Sequence, residues 1–277
     1  MYVESTIQMM FFAILNLMGC RESYDEDTSS EKRKRIYVIN EITFARQTPA
    51  GVWGFDIDNR ISDDSDSAGC HHADFIDPLG NEGIDNAMSG LVPALELTEA
   101  AAIEPLIDEA IRNGNLVLLL EHDEETLSMH KGIGAPMVGT DGTLLDGQSF
   151  VVEDQPLQLV SLQEEHGTWV GSPFSLQIGL SVMGNDINFD MSQGGIRIEE
   201  HEDGSLAGSF GGAIPLSSLL VIANDDQVGP NELFVGLIEG AADLFPDDEG
   251  QCQFFSVGFS FQAIPAFFID TTYEFVF

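Results

Sequence analysis

The stretch "DIDNRISDDSDSAGCHHADFIDPLGNEGIDN", Asp56 to Asn86, places nine carboxylates and three asparagines within thirty-one residues. Calcium is a hard cation that takes six to eight oxygens from carboxylates, amides and backbone carbonyls. Short polar loops with Asp-x-Asp spacing and glycines present such oxygens convergently. The candidate ligands are Asp56 and Asp58 at one end, Asp63 in the middle, and Asp85 with Asn86 at the other. An EF-hand frame begun at Asp56 fails, because Arg60 and Ile61 stand where an oxygen ligand and glycine belong, and Ser67 replaces the final bidentate Glu. The competing reading is a solvated acidic loop, its carboxylates repelling one another and staying in water.

No catalytic motif accompanies this loop. The chain has no G-x-S-x-G elbow, no H-E-x-x-H, no P-loop and no dinucleotide fingerprint. His201 opens only half of a zincin pair, inside an expected hairpin turn. Among so many acids a carboxylate pair at glycosidase separation is conceivable, but sequence names no member of it. Two function classes stay open: a binding or structural protein, and an exported hydrolase, for example one acting on glycans. Glycan binding wants exposed aromatic platforms, for which Trp53, Trp169 and four tyrosines are on hand. A protein partner is the broader alternative.

Charge narrows the partners. The formal net charge is −37, from 47 acidic against 10 basic residues, and past Gln47 the only basic side chains are Arg60, Arg112, Lys131 and Arg197. A field of that sign repels nucleic-acid phosphates and attracts cations and basic partners, so DNA and RNA binding are excluded. Such an acid excess also suits a protein working in high salt, where screening relieves self-repulsion.

The elements that must position these residues read mainly as β. "FSLQIGLSV" alternates, with Phe174, Leu176, Ile178, Leu180 and Val182 on one face. "GIRIEEHEDGSLAGSF" predicts a hairpin: Ile196 and Ile198 lead in, Asp203-Gly204 turns, and Leu206 and Phe210 return. "FSVGFSF" buries Phe255, Val257, Phe259 and Phe261. Strands dominate from about Asn115 onward. Helical patterning centres on "LTEAAAIEPLIDEAIRNG", where Thr98 can cap, Ile103, Leu106, Ile107 and Ala110 share a face, Pro105 introduces a kink and Gly114 terminates. A shorter helix opens near Pro215. The expected architecture is an antiparallel β-sandwich or jelly roll with a helical insertion near residues 86–113.

At the N-terminus, "MMFFAILNLMGCRES" sets an apolar run against a cysteine. About a dozen apolar residues fall short of the roughly 20 a helical span needs, so the run reads as an export signal. Its last four residues, Leu17-Met18-Gly19-Cys20, resemble the lipobox of bacterial lipoprotein precursors. That resemblance implies a signal peptide over 1–19 and lipid on Cys20 as the first mature residue, which makes the membrane a partner. Arg21 after the cysteine favours the outer membrane over the inner. Residues 20–35 then read as a flexible acylated tether and 36–277 as a single β-rich domain. The block "GFDID…GIDN" resembles segments of exported proteins of Gram-negative bacteria that carry no assigned activity. Export leaves Cys70 and Cys252 in an oxidising compartment, where they are expected to pair. Zinc binding through Cys70-His71-His72 is the weaker reading, because no second Cys/His cluster stands at zinc-like spacing.

Overall fold

The computed structural model describes residues 34–97, 99–153, 155–182, 185–223 and 232–269. The lipobox with Cys20, and the capping residue Thr98, lie outside them. The body begins at Lys34.

In chain order the described residues form β1 (Arg35–Phe44), α1 (Ala87–Leu95), a 3-10 turn (Glu99–Ala102), α2 (Ile103–Asn113), β2 (Leu118–His122), β3 (Thr126–Ile133), β4 (Gln148–Val152) and β5 (Gln158–Glu165). Then follow β6 (Thr168–Val182), β7 (Asn185–Glu200), β8 (Leu206–Pro215), α3 (Leu216–Ala223), α4 (Glu232–Gly240), β9 (Leu244–Pro246) and β10 (Cys252–Phe268).

The expected sandwich or jelly roll is not what forms: eight antiparallel strands close on themselves as a barrel. Around the ring run β1, β2, β3, β5, β6, β7, β8 and β10, and β10 pairs back onto β1, with Phe44 opposite Phe259 and Ile42 opposite Phe261. β4 wedges between β3 and the end of β10, to which it runs parallel. The reason for the difference is physical. Alternation says that one face is apolar, and that face can be covered by a second sheet or by the curl of its own. Long strands with register shifts between Ile39 and Glu41, between Gly171 and Leu176, and between Ser192 and Gly195 favour the curl.

Eight strands leave an interior just wide enough for side chains to fill. Phe44, Phe174, Phe210, Phe259 and Phe261 fill it as an interlocked group, with ring centroids 5.4 Å apart for Phe44 and Phe259 and 5.2 Å for Phe210 and Phe259. Ile196, Ile198 and Leu206, on the expected hairpin, are fully buried beside them. Outward, β5 and β6 present polar residues such as Ser161, Gln163, Glu165 and Gln177 to water. A barrel that spans a membrane has the opposite sense, with an apolar belt outside and a polar interior. Among the described residues no helix is long and apolar enough to cross a membrane.

Part of the barrel's outside is covered. α2 lies against β1, burying Ala110 and Ile111, and ends at Gly114 in the left-handed conformation. Pro105 falls in its first turn, where no backbone donor is needed, so the helix needs no kink to accommodate it. Over β7, β8 and β10 the outer positions are small: Gly195, Gly211, Ala213, Ser256 and Gly258. A Cβ on Gly195 would run into the Phe55 ring, and one on Gly258 into the Asn86 amide and the Trp53 carbonyl. These small residues let the 52–86 segment lie directly on the barrel wall.

Because the aromatic interior is the core, Phe210→Ala should cost about 3–5 kcal/mol in urea unfolding, while Gln177→Ala on the outer face should cost under about 0.5. Equal losses would mean that the interior is not what holds the barrel.

Candidate functional site

The acidic segment is folded by short bridges rather than by regular strands. Phe55 pairs with Asp85 and Phe75 with Ile84, so the two ends of the segment meet. The turn after Asp56 is tied by the Arg60 backbone N–H, which donates to Asp56 Oδ1 at 3.1 Å and to Asp58 Oδ1 at 3.0 Å. Asn59 at its centre has φ of 60°, a conformation that asparagine tolerates well. Asp85 Oδ2 accepts from the Ile57 N–H at 2.6 Å.

Three carboxylates converge as a result. Asp56, Asp58 and Asp85 each bring one oxygen within 4.8 Å of the others, with Asp56 exposed, Asp58 half-buried and Asp85 buried. That spacing is compatible with oxygen ligands sharing one hard divalent cation, and it draws on both ends of the acidic segment. Asp63 stands apart, accepting from the Ser65 backbone and hydroxyl within its own turn. Asn86 is occupied structurally. Its amide donates to the Trp53 carbonyl at 2.8 Å and accepts from the N–H groups of Gly258 and Ser89, which fastens the start of α1 to the wall.

The expected disulfide is present. Cys70 and Cys252 are bonded, with Cα atoms 6.0 Å apart, joining the acidic segment to the first residue of β10. His71 and His72 follow Cys70 and belong to no metal-binding group among the described residues.

Beside the cluster opens a cleft of about 360 Å³, bounded by Asp74, Asp85 and Asp243 and walled by Phe75, Leu91 and Leu237. Asp243 accepts from both the backbone N–H and the hydroxyl of the fully buried Ser256. Burial is the chief cause that pushes Asp85 up to about 8; the Ile57 N–H resists the rise, and the charges of Asp243, Asp58 and Asp74 add to it. Burial likewise pushes Asp243 up to about 7, against the Ser256 hydrogen bonds. Asp74 is raised by burial too. Sequence reasoning missed Asp74 and Asp243. Asp243 had a signal, as the lone acid in the apolar run "AADLF".

Both tryptophans are engaged. The Arg197 guanidinium lies 4.8 Å over Trp53 and 3.4 Å from Asp77 Oδ2, and Trp169 packs edge-on against His122. Comparison of the chain with known protein families, curated proteins and solved structures finds no match. The chemistry of the site rests on its own residues.

A carboxyl whose pKa is raised by folding contributes stability that is complete below the ordinary value of 3.8 and lost as pH rises through its folded value. In chelator-treated protein, stability should therefore fall between pH 4 and about 8, by at most about 1.4 kcal/mol per pH unit for each carboxyl. Urea titrations of wild type and Asp85→Asn should diverge across that window. Parallel curves would show that Asp85 titrates normally.

Proposed function

We propose that the protein is an envelope-anchored binding protein: a water-facing barrel, tethered to the outer membrane through lipid on Cys20, that holds a hard divalent cation of the calcium class on Asp56, Asp58 and Asp85. The observation that carries this reading is the convergence of three carboxylates from the two ends of one segment. Backbone N–H groups of Ile57 and Arg60 offset their mutual repulsion only in part, and a divalent cation offsets it far better. The adjoining cleft, apolar-walled and rimmed by carboxylates, is where a ligand would meet the cation's surroundings. The ligand class that suits it is a protein or glycan group able to bind alongside a cation, and a nucleic acid is disfavoured by charge.

A second reading is supported by Asp85 and Asp243, two buried carboxyls on one cleft that burial pushes up to about 8 and about 7, the direction a hydrolase's general acid needs. The two readings share Asp85 and differ in Asp243.

Calcium at about ten times its dissociation constant should raise the melting temperature by about 3–6 °C at fixed ionic strength. Asp58→Ala should abolish that gain, and Asp63→Ala and Asp243→Asn should keep it. An unchanged melting curve would sink the cation site. Changing Cys20 to Ala should move the protein from the membrane to the soluble fraction, whereas retention on membranes would end the lipid-anchor reading.

A further inference from the structure

Two consecutive basic residues lead into the barrel, and each is held by a glutamate that also stands beside a buried histidine. On the outer face, Lys34 Nζ lies 2.9 Å from Glu121 Oε1, and the other oxygen of Glu121 lies 3.4 Å from His130 Nε2. On the inner face, the Arg35 guanidinium donates to Glu200 Oε2, while Glu200 Oε1 accepts from the Tyr37 hydroxyl at 2.8 Å and lies 3.4 Å from His122 Nδ1. The alternation of an extended chain sends Lys34 and Arg35 to opposite faces, so one site is repeated on both sides of the wall.

His122 is fully buried and His130 is 9% exposed. The glutamate oxygen at 3.4 Å is the polar neighbour of one ring nitrogen of each histidine, and the other nitrogen, His122 Nε2 or His130 Nδ1, has no hydrogen-bond partner. The surroundings of His122 are Arg35 and Tyr37 from β1, Glu200 from β7, Trp169 from β6 and Asp123 beyond its own strand. Those of His130 are Glu121 from β2, Lys34, and Phe268 from β10, while Lys131 beside it pairs with Glu153. A buried imidazole with one nitrogen left unpaired costs stability, and proteins retain such groups where a change of state uses them.

We propose that Glu121 with His130, and Glu200 with His122, form a two-sided acid-sensitive clasp on the start of β1. At neutral pH each carboxylate holds one basic residue. When an imidazole takes a proton from solvent, it becomes a second cation beside the same carboxylate, competes for it, and repels Lys34 or Arg35. The strand's first residues then come free while the aromatic interior stays packed. If residues 20–35 are the tether, acid makes that tether longer.

Burial, the chief cause at both sites, lowers the affinity of each histidine for a proton, and the glutamates resist that lowering. A histidine with a depressed folded pKa contributes stability that is present above the ordinary value of 6.5 and lost as pH falls through the folded value. The clasp therefore loosens below pH 6.5.

Amide hydrogen exchange of the full chain, corrected for intrinsic rates, reads this directly. Protection over residues 35–39 should fall below pH 6.5 by up to about tenfold per pH unit for each histidine, the ceiling for a single proton, while residues 206–215 keep theirs. In the double variant His122→Leu with His130→Leu, protection over 35–39 should not change between pH 7.5 and 5.5. Because that variant removes buried groups, Glu121→Gln with Glu200→Gln supplies a second arm: at pH 7.5 it should already exchange over 35–39 as fast as wild type does at pH 5.5. Protection that ignores pH in wild type, a pH response that survives loss of both histidines, or a Glu double variant that stays protected at pH 7.5 would each overturn the proposal.

Discussion

Everything in this molecule depends on the antiparallel pairing of β1 with β10. Without it the sheet is an open ribbon whose apolar face has no cover, because the interlocked phenylalanine rings lie in the lumen that this pairing creates. β10 can serve as the keystone because it is 17 residues long and meets β8 along one edge, β1 along the other, and β9 and β4 at its two ends. The energy is contributed by the phenylalanine rings inside, and the geometry by hydrogen bonds that close the ring and leave no exposed edge.

The same strand sets the position of the candidate site. Its outward residues Ser256 and Gly258 receive the start of α1, the Asn86 amide and the Trp53 carbonyl. Asp85 therefore sits one residue from a fixed anchor, and the carboxylates it meets are carried by a turn with its own internal hydrogen bonds. A site assembled from irregular chain can be positioned this firmly only because the wall beneath it has almost no side chains to get in the way.

The parts of the fold that sequence made legible were those with a single dominant period. Phe174 to Ile178, the Ile196 to Phe210 hairpin, the Phe255 to Phe261 alternation and the Gly114 helix end all stand where their patterns place them. β1 escaped notice because the register shift between Ile39 and Glu41 breaks its alternation and because Tyr37, Val38 and Ile39 are buried in succession. Closure was illegible for a deeper reason. A period of two reports which residues share a face and carries no information about what covers that face. Of the expected oxygen ligands, spacing identified the three that converge, and it could not show that Asn86 would be taken up by the barrel wall or that Asp63 would satisfy its own turn. Asp243 lies too far along the chain for any local pattern to join it to Asp85.

The bond between Cys70 and Cys252 spans 182 residues. During synthesis the first sulfur is made early and then waits until nearly the whole chain has been added. β2 through β9 all lie between the two cysteines, and Cys252 is the first residue of β10, so the covalent loop encloses most of the barrel's strands and shuts only once its final strand has begun. In a reducing compartment the acidic segment keeps only its hydrogen bonds and its packing on the barrel wall. The ring is closed by the pairing of β1 with β10, and the covalent tie to the site is made by other residues, so loss of the sulfur bond leaves the ring's own hydrogen bonds in place.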